Sequence, residues 1–217
     1  LPRTSRERAW QALGEHLGFA SSRPEKLHGT GPDNLWALSA ARQAVIELKT
    51  GCTTGTIVKK DMDQLGGSVR WLNDHNPEVE AVPVMLHPSR AADAKATAVP
   101  GMRVITPEQF GQLKDAVTAY AAALASSPDR WADEQAVREQ LAHHKLTGDR
   151  FLTAYAEPVS PSLHRPRPPD GPGPASSCGG PVPVGGGGHG RPLLQQPGGP
   201  AWRLPTPRRP WPGTGSE

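Results

Sequence analysis

Gly31-Pro32-Asp33-Asn34-Leu35-Trp36-Ala37-Leu38 and, five residues further on, Ala44-Val45-Ile46-Glu47-Leu48-Lys49 decide how this chain is read. Residues 35–38 form a short apolar strand candidate, entered through Gly, Pro, Asp and Asn, the residue types that favour turns. Residues 39–43 can turn the chain. Residues 44–49 are a second strand, apolar and β-branched until two charges interrupt it. Side chains alternate along a strand, so Glu47 and Lys49 share one face while Ile46 and Leu48 share the other. Charges on an otherwise buried strand need partners. If the two strands pair as a hairpin, Asp33 comes beside Glu47. Two carboxylates held together repel unless a cation lies between them. A hard divalent ion such as Mg²⁺ takes oxygen ligands from one or two carboxylates, waters and phosphate. Lys49 then faces the same spot as a positive donor. Acid, acid and lysine around such an ion suit phosphodiester hydrolysis: the metal polarises the phosphoryl oxygen and activates water, and the lysine positions that water or neutralises developing charge.

Outward from this pair, the periodicity predicts an amphipathic helix over 5–18, with Trp10, Leu13 and Leu17 as its stripe, Thr4 or Ser5 as cap and Gly18 as stop. Residues 21–31 read as a polar connection. A second helix is expected over 59–74, striped by Met62, Leu65, Val69 and Leu72; Gly66-Gly67 inside it calls for a packing or close-approach reason. Residues 81–86 read as a third strand, placed at an edge or strand end by Pro83. Residues 102–105 read as a fourth. Thr106 caps a third helix with Pro107 at its first position and Phe110, Leu113, Val117, Tyr120 and Leu124 as its stripe. A further helix is expected over 133–145. Helix, two strands, helix, two strands and two helices make an α/β chain: a small mixed sheet flanked by helices.

Pro32-Asp33 followed by Glu47-Leu48-Lys49 resembles the PD-(D/E)XK nuclease superfamily, the restriction-endonuclease-like fold, over roughly residues 8–125. The form it is most similar to is a nuclease-like domain at the ends of bacterial helicase-type proteins. Residues 31–38, 45–51 and Asp63-Gln64-Leu65-Gly66-Gly67-Ser68 match it in order. The resemblance implies a Mg²⁺- (or Mn²⁺-) dependent deoxyribonuclease, a module of a helicase–nuclease system in repair or defence. Its partners would be DNA and a helicase on the same or another chain. Asp33 and Glu47 would bind the metal, joined by the Leu48 carbonyl, and Lys49 would be catalytic. A first-helix acid, here Glu15, and a polar residue on the next helix, here Gln64 with Lys60, would complete the site. Lys60 and Gln64 are four residues apart and so share a helix face.

The plainer reading is a Glu47–Lys49 pair on a solvated strand face, with Asp33 a turn residue. Lys59, Lys60 and Arg70 could meet DNA phosphates along one helix or form a solvated face. His143 and His144 are adjacent, so a helix directs them to different sides. His75 and His87 have no spaced partners, and Cys52 reads as a plain thiol. The loop 51–55 is no phosphate loop, since no Gly-Lys-Ser/Thr follows it. Trp10, Trp36 and Trp71 read as core or groove walls.

Composition divides the chain. Of 217 residues with 25 Pro and 24 Gly, residues 158–217 hold 16 Pro and 13 Gly, a density no packed core tolerates. This tail carries six Arg, no Lys and two acids, about +4, whereas residues 1–157 carry 18 basic and 19 acidic side chains. The formal charge of +3 therefore belongs to the tail, and any nucleic acid bound by the body meets local patches. A domain over 1–157 and a disordered or polyproline-like tail over 158–217 are expected. The tail looks like a GC-rich gene read out of frame; the alternative is a genuine arm contacting nucleic acid through Arg165, Arg167, Arg208 and Arg209. A start at Leu1 also suits a fragment of a longer protein. No apolar run approaches the roughly 18 residues of a membrane helix, no secretory segment is visible, and two cysteines make no disulfide framework, so a cytoplasmic setting is expected. Besides the nuclease, two readings stay open: a catalytically silent nuclease-fold module that binds DNA or a helicase, and an RNA-cutting member of the same fold.

Overall fold

The computed structural model describes residues 3–127 and 129–161. Its elements run α1 (Arg3–His16), β1 (Ala20–Ser22), α2 (Pro24–His28), β2 (Asn34–Ala37), β3 (Arg42–Leu48), α3 (Lys59–His75), β4 (Glu80–Leu86), β5 (Ala91–Ala92), β6 (Arg103–Ile105), α4 (Pro107–Ala125), α5 (Glu134–His143), α6 (Gly148–Tyr155), β7 (Glu157–Pro158) and β8 (Ser160–Pro161). The sheet has six strands in the order β1-β2-β3-β4-β6-β7, and β5 pairs with β8 in a second, two-stranded sheet. β1, β2 and β3 are successively antiparallel, β3, β4 and β6 are parallel, and β7 closes the far side antiparallel to β6. Helix α3 is the connection between the parallel strands β3 and β4, as a parallel pair requires. The fold class is thus mixed α/β with a mixed sheet between helices.

Alternation along the strands produces two cores. Trp36, Ala44, Ile46, Leu48, Val82, Val84, Leu86 and Ile105 pack on one face with Trp10 of α1, Leu17 just after it, Leu113 of α4 and Phe151, Leu152 and Tyr155 of α6. Leu35, Val45, Met85 and Val104 pack on the other with Met62, Leu65 and Leu72 of α3. Each strand that meets helices on both sides is apolar at consecutive positions, which is why residues 44–46 and 82–86 read as continuous runs. On the first face, Trp36 lies between Trp10, at 5.1 Å between ring centroids, and Phe19, at 5.2 Å, with both pairs nearly parallel.

Several expectations are corrected. The polar connection over 21–31 contains β1 and α2. β4 is an inner strand, yet Pro83 stands at a local edge of it: it pairs with Val45 of β3, and the β4–β6 ladder begins only at Val84, so no bond to β6 needs its missing N–H. Thr106 stands before α4 without capping its backbone; its hydroxyl binds the Gln109 side chain. Helix α1 already starts at Arg3, so Thr4 and Ser5 lie inside it. Gly66 and Gly67 have no close neighbour that needs a glycine, since a Cβ at either would stand 3.8–3.9 Å from its nearest contacts. Strands β7 and β8 carry regular structure past residue 157, and α6 was unforeseen. The remaining expectations for the tail lie outside the described residues. Among the described residues no helix is long and apolar enough to cross a membrane.

Candidate functional site

The hairpin register brings the two acids together. Asn34 lies opposite Ile46, so Asp33 stands one step beyond the ladder, across from Glu47. The entry into β2 depends on Gly31: its φ of +100° is a glycine conformation, and a Cβ there would come within 2.9 Å of the Trp71 ring. Asp33 and Glu47 are 1% and 0% exposed. Asp33 Oδ2 accepts a 2.8 Å hydrogen bond from the Leu48 N–H, which pins the mouth of β2 to the end of β3.

Helix α3 supplies the other wall. Its apolar stripe of Met62, Leu65 and Leu72 faces the sheet, and Asp61, Gln64 and Ser68, spaced i, i+3, i+7, run beside it on the turns that overhang the end of β3. Ser68 Oγ donates to Glu47 Oε1 at 2.7 Å, and Gln64 Nε2 donates to Glu47 Oε2 at 2.7 Å. Lys49 Nζ donates to Gln64 Oε1 at 2.5 Å, and lies 3.7 Å from Glu47 Oε2 and 3.8 Å from Asp61 Oδ1. Gln64 therefore uses both ends of its amide to hold acid and base in one arrangement. Burial, and then the charge of Asp33, push the Glu47 carboxyl up from 4.5 to about 7, against the opposing pull of the Ser68 hydrogen bond and of Lys49.

A third group of acids borders this pair. Glu7 of α1, Glu25 of α2 and Asp33 each place a carboxylate oxygen within 4.8 Å of the others. Arg23 pairs with Glu7 inside the same cluster. Glu25 also raises the Glu47 carboxyl. Four carboxyl groups thus gather with Arg23 and Lys49 nearby, an all-oxygen donor set suited to a hard divalent ion.

Asp33, Glu47, Lys49 and Gln64 are brought together as the sequence suggested, whereas Leu48, expected to offer its carbonyl to a metal, meets Asp33 through its N–H. Glu15 is not: it is exposed and accepts a hydrogen bond from Gln11, while Glu7, two helical turns earlier and buried, is the acid of α1 at the cluster. Trp10 marks the buried face of α1, and Glu7, three residues before it, lies on the same face, a signal the sequence carried. Lys60 is exposed, and Gln64 turns inward without it. Lys59 pairs with Asp63 on the outer surface of α3, and Arg70 is exposed, its guanidinium near Gly66 and Gly67. Asp61, Ser68, Arg23 and Glu25 were missed. The i, i+3, i+7 spacing of Asp61, Gln64 and Ser68 could have shown the first two; nothing local marks Arg23 and Glu25, which reach the site through the turn of the chain before β2.

No protein-family model, curated protein or solved structure matches this chain.

Proposed function

We propose that this chain is a Mg²⁺-dependent nuclease that hydrolyses DNA phosphodiester bonds on a restriction-endonuclease-like fold, as a module of a helicase–nuclease system. The observation that carries this reading is the convergence of Asp33, Glu47 and Lys49 at the end of one strand pair, held there by Gln64. Asp33, with Glu7 and Glu25 on one side and Glu47 on the other, would hold the ion. When bound, a hard divalent ion supplies Lewis-acid polarisation of the phosphoryl oxygen and a more acidic water.

The protein groups have separable tasks. Asp33 keeps its carboxylate fixed through the Leu48 N–H, so it need not reorganise when a cation arrives. With its carboxyl pushed up to about 7, Glu47 is about half protonated at neutral pH, and positive charge held near it favours the carboxylate. Lys49 provides such a charge, and its ammonium, 13% exposed, is the group positioned to meet the scissile phosphate or orient the attacking water. Gln64 and Ser68 position Glu47 and Lys49. The test is incubation of the full chain with duplex and single-stranded DNA under Mg²⁺, Mn²⁺ and chelator. Cleavage with either metal that stops on chelation is expected; cleavage unaffected by chelator contradicts the reading.

One observation favours a second reading, a silent module that binds DNA or a helicase. Both oxygens of Glu47 already accept hydrogen bonds, and Lys49 is held by Gln64, so the groups satisfy one another. This reading predicts DNA binding that weakens with salt and no cutting with any metal.

A further inference from the structure

A second group of ligand-type side chains lies at the carboxyl ends of β3 and β4. Cys52, Asp61 and His87 each present one ligand atom, and these atoms lie within 4.8 Å of one another. They come from three places: the loop after β3, the first turn of α3 and the residue that follows β4.

His87 is 1% exposed. Its Nδ1 lies 2.7 Å from the Ser89 carbonyl oxygen and 3.0 Å from the Ser89 N, so the backbone of Ser89 fixes the ring through Nδ1. Nε2, the other ring nitrogen, is buried and has no hydrogen-bond partner among the described residues. Buried polar atoms are rarely left so. In the tautomer that donates Nδ1–H to the Ser89 carbonyl, Nε2 is open to ligate, the arrangement of a metal-ligating histidine. Asp61 divides its oxygens: Oδ1 lies 3.8 Å from Lys49 Nζ, and Oδ2 lies 3.9 Å from Cys52 Sγ.

A thiolate, an imidazole and a carboxylate are too soft a set for Mg²⁺ and match Zn²⁺. We propose that Cys52, Asp61 and His87 form a Zn²⁺ site with three protein ligands and a fourth position open to water beside the partly exposed Cys52. Its ligands are distinct from the carboxylates of the Asp33 cluster, so it stands whether or not the chain cleaves DNA. A cysteine nucleophile is the poorer use of these residues. Burial and the Asp61 carboxylate push the Cys52 thiol up, which keeps it protonated until a cation replaces the proton.

The test uses the untagged, reduced full chain with Co²⁺ as the probe. One Co²⁺ per chain is expected, with tetrahedral d–d bands and a thiolate-to-cobalt charge-transfer band that Zn²⁺ displaces and excess Mg²⁺ does not. Cys52→Ser should lose the charge-transfer band while keeping the circular dichroism of the wild type. Cys178→Ser should keep the band, and Asp61→Asn should weaken binding by about tenfold or more. No charge-transfer band in the wild type, or a band that survives in Cys52→Ser or vanishes in Cys178→Ser, would overturn the proposal. Absence of DNA cleavage in the same preparation bears on the nuclease reading and leaves this outcome standing.

Discussion

Asp33 Oδ2 accepts a hydrogen bond from the Leu48 N–H at 2.8 Å, joining the residue before β2 to the last residue of β3. The same carboxylate is the second cause, after burial, that lifts the Glu47 carboxyl to about 7. One side chain therefore both builds the site and sets its electrostatics. Asp33→Asn should lower the Glu47 titration midpoint, read by NMR of the side-chain carboxyl carbon. Asp33→Ala should strand a buried Leu48 N–H at a cost of about 1–3 kcal/mol in urea unfolding. An unmoved Glu47 midpoint in Asp33→Asn contradicts the assigned coupling.

The raised Glu47 carboxyl makes stability depend on pH in a defined direction. Between about 4.5 and about 7 the folded chain holds a proton at this site that the unfolded chain has released. Its contribution to stability is therefore fully present below about 4.5 and is lost as pH rises through about 7. Glu47→Gln cannot lose that proton. With chelator present, the urea midpoint of Glu47→Gln relative to wild type should be higher at pH 8 than at pH 5. An equal difference at both pH values contradicts the shift.

Gly66 and Gly67 stand in mid-helix with room for a Cβ. Gly66→Ala and Gly67→Ala should each stabilise the chain, by up to about 1 kcal/mol, through a less flexible unfolded state and better helix propensity. Chemical denaturation reads this directly; a loss of stability would mean that these turns of α3 are closer packed than described.

Gly14 is the opposite case. A Cβ there would come within 2.6 Å of the Trp36 indole, which is itself held between Trp10 and Phe19. Gly14→Ala should destabilise by about 1–3 kcal/mol and alter tryptophan fluorescence in the native state. Unchanged stability would contradict the close approach of α1 to β2.

What the sequence revealed followed from short-range regularity. The β2–β3 pair was legible because turn residues and apolar runs bracket it, and its antiparallel register then follows from the short connection at residues 38–41. That register alone placed Asp33 beside Glu47. The period of two also assigned Ile46 and Leu48 to the core opposite Glu47, as the two apolar clusters have it. The resemblance implies only an acid on the first helix, a role Glu15 was given, whereas the buried face marked by Trp10 points to Glu7. Elements of two or three residues, such as β1 and β5, carry too few positions for any periodicity. Pro83 marked a local edge, but that β4 as a whole lies between β3 and β6 depends on where the neighbouring ladder begins, which is a tertiary fact. Cys52, Asp61 and His87 had no spacing to announce them, since they meet only when β3 and β4 lie side by side.

The most direct measurement is DNA cleavage by the wild-type full chain and by Lys49→Ala, side by side in Mg²⁺ with matched protein and DNA. Lys49 is the one ammonium held against Glu47, through Gln64, among the described residues. The nuclease account predicts metal-dependent nicking by the wild type and a fall of roughly 10²–10³-fold in the variant, the scale of losing one charge-stabilising donor. Equal rates in the two proteins would contradict it.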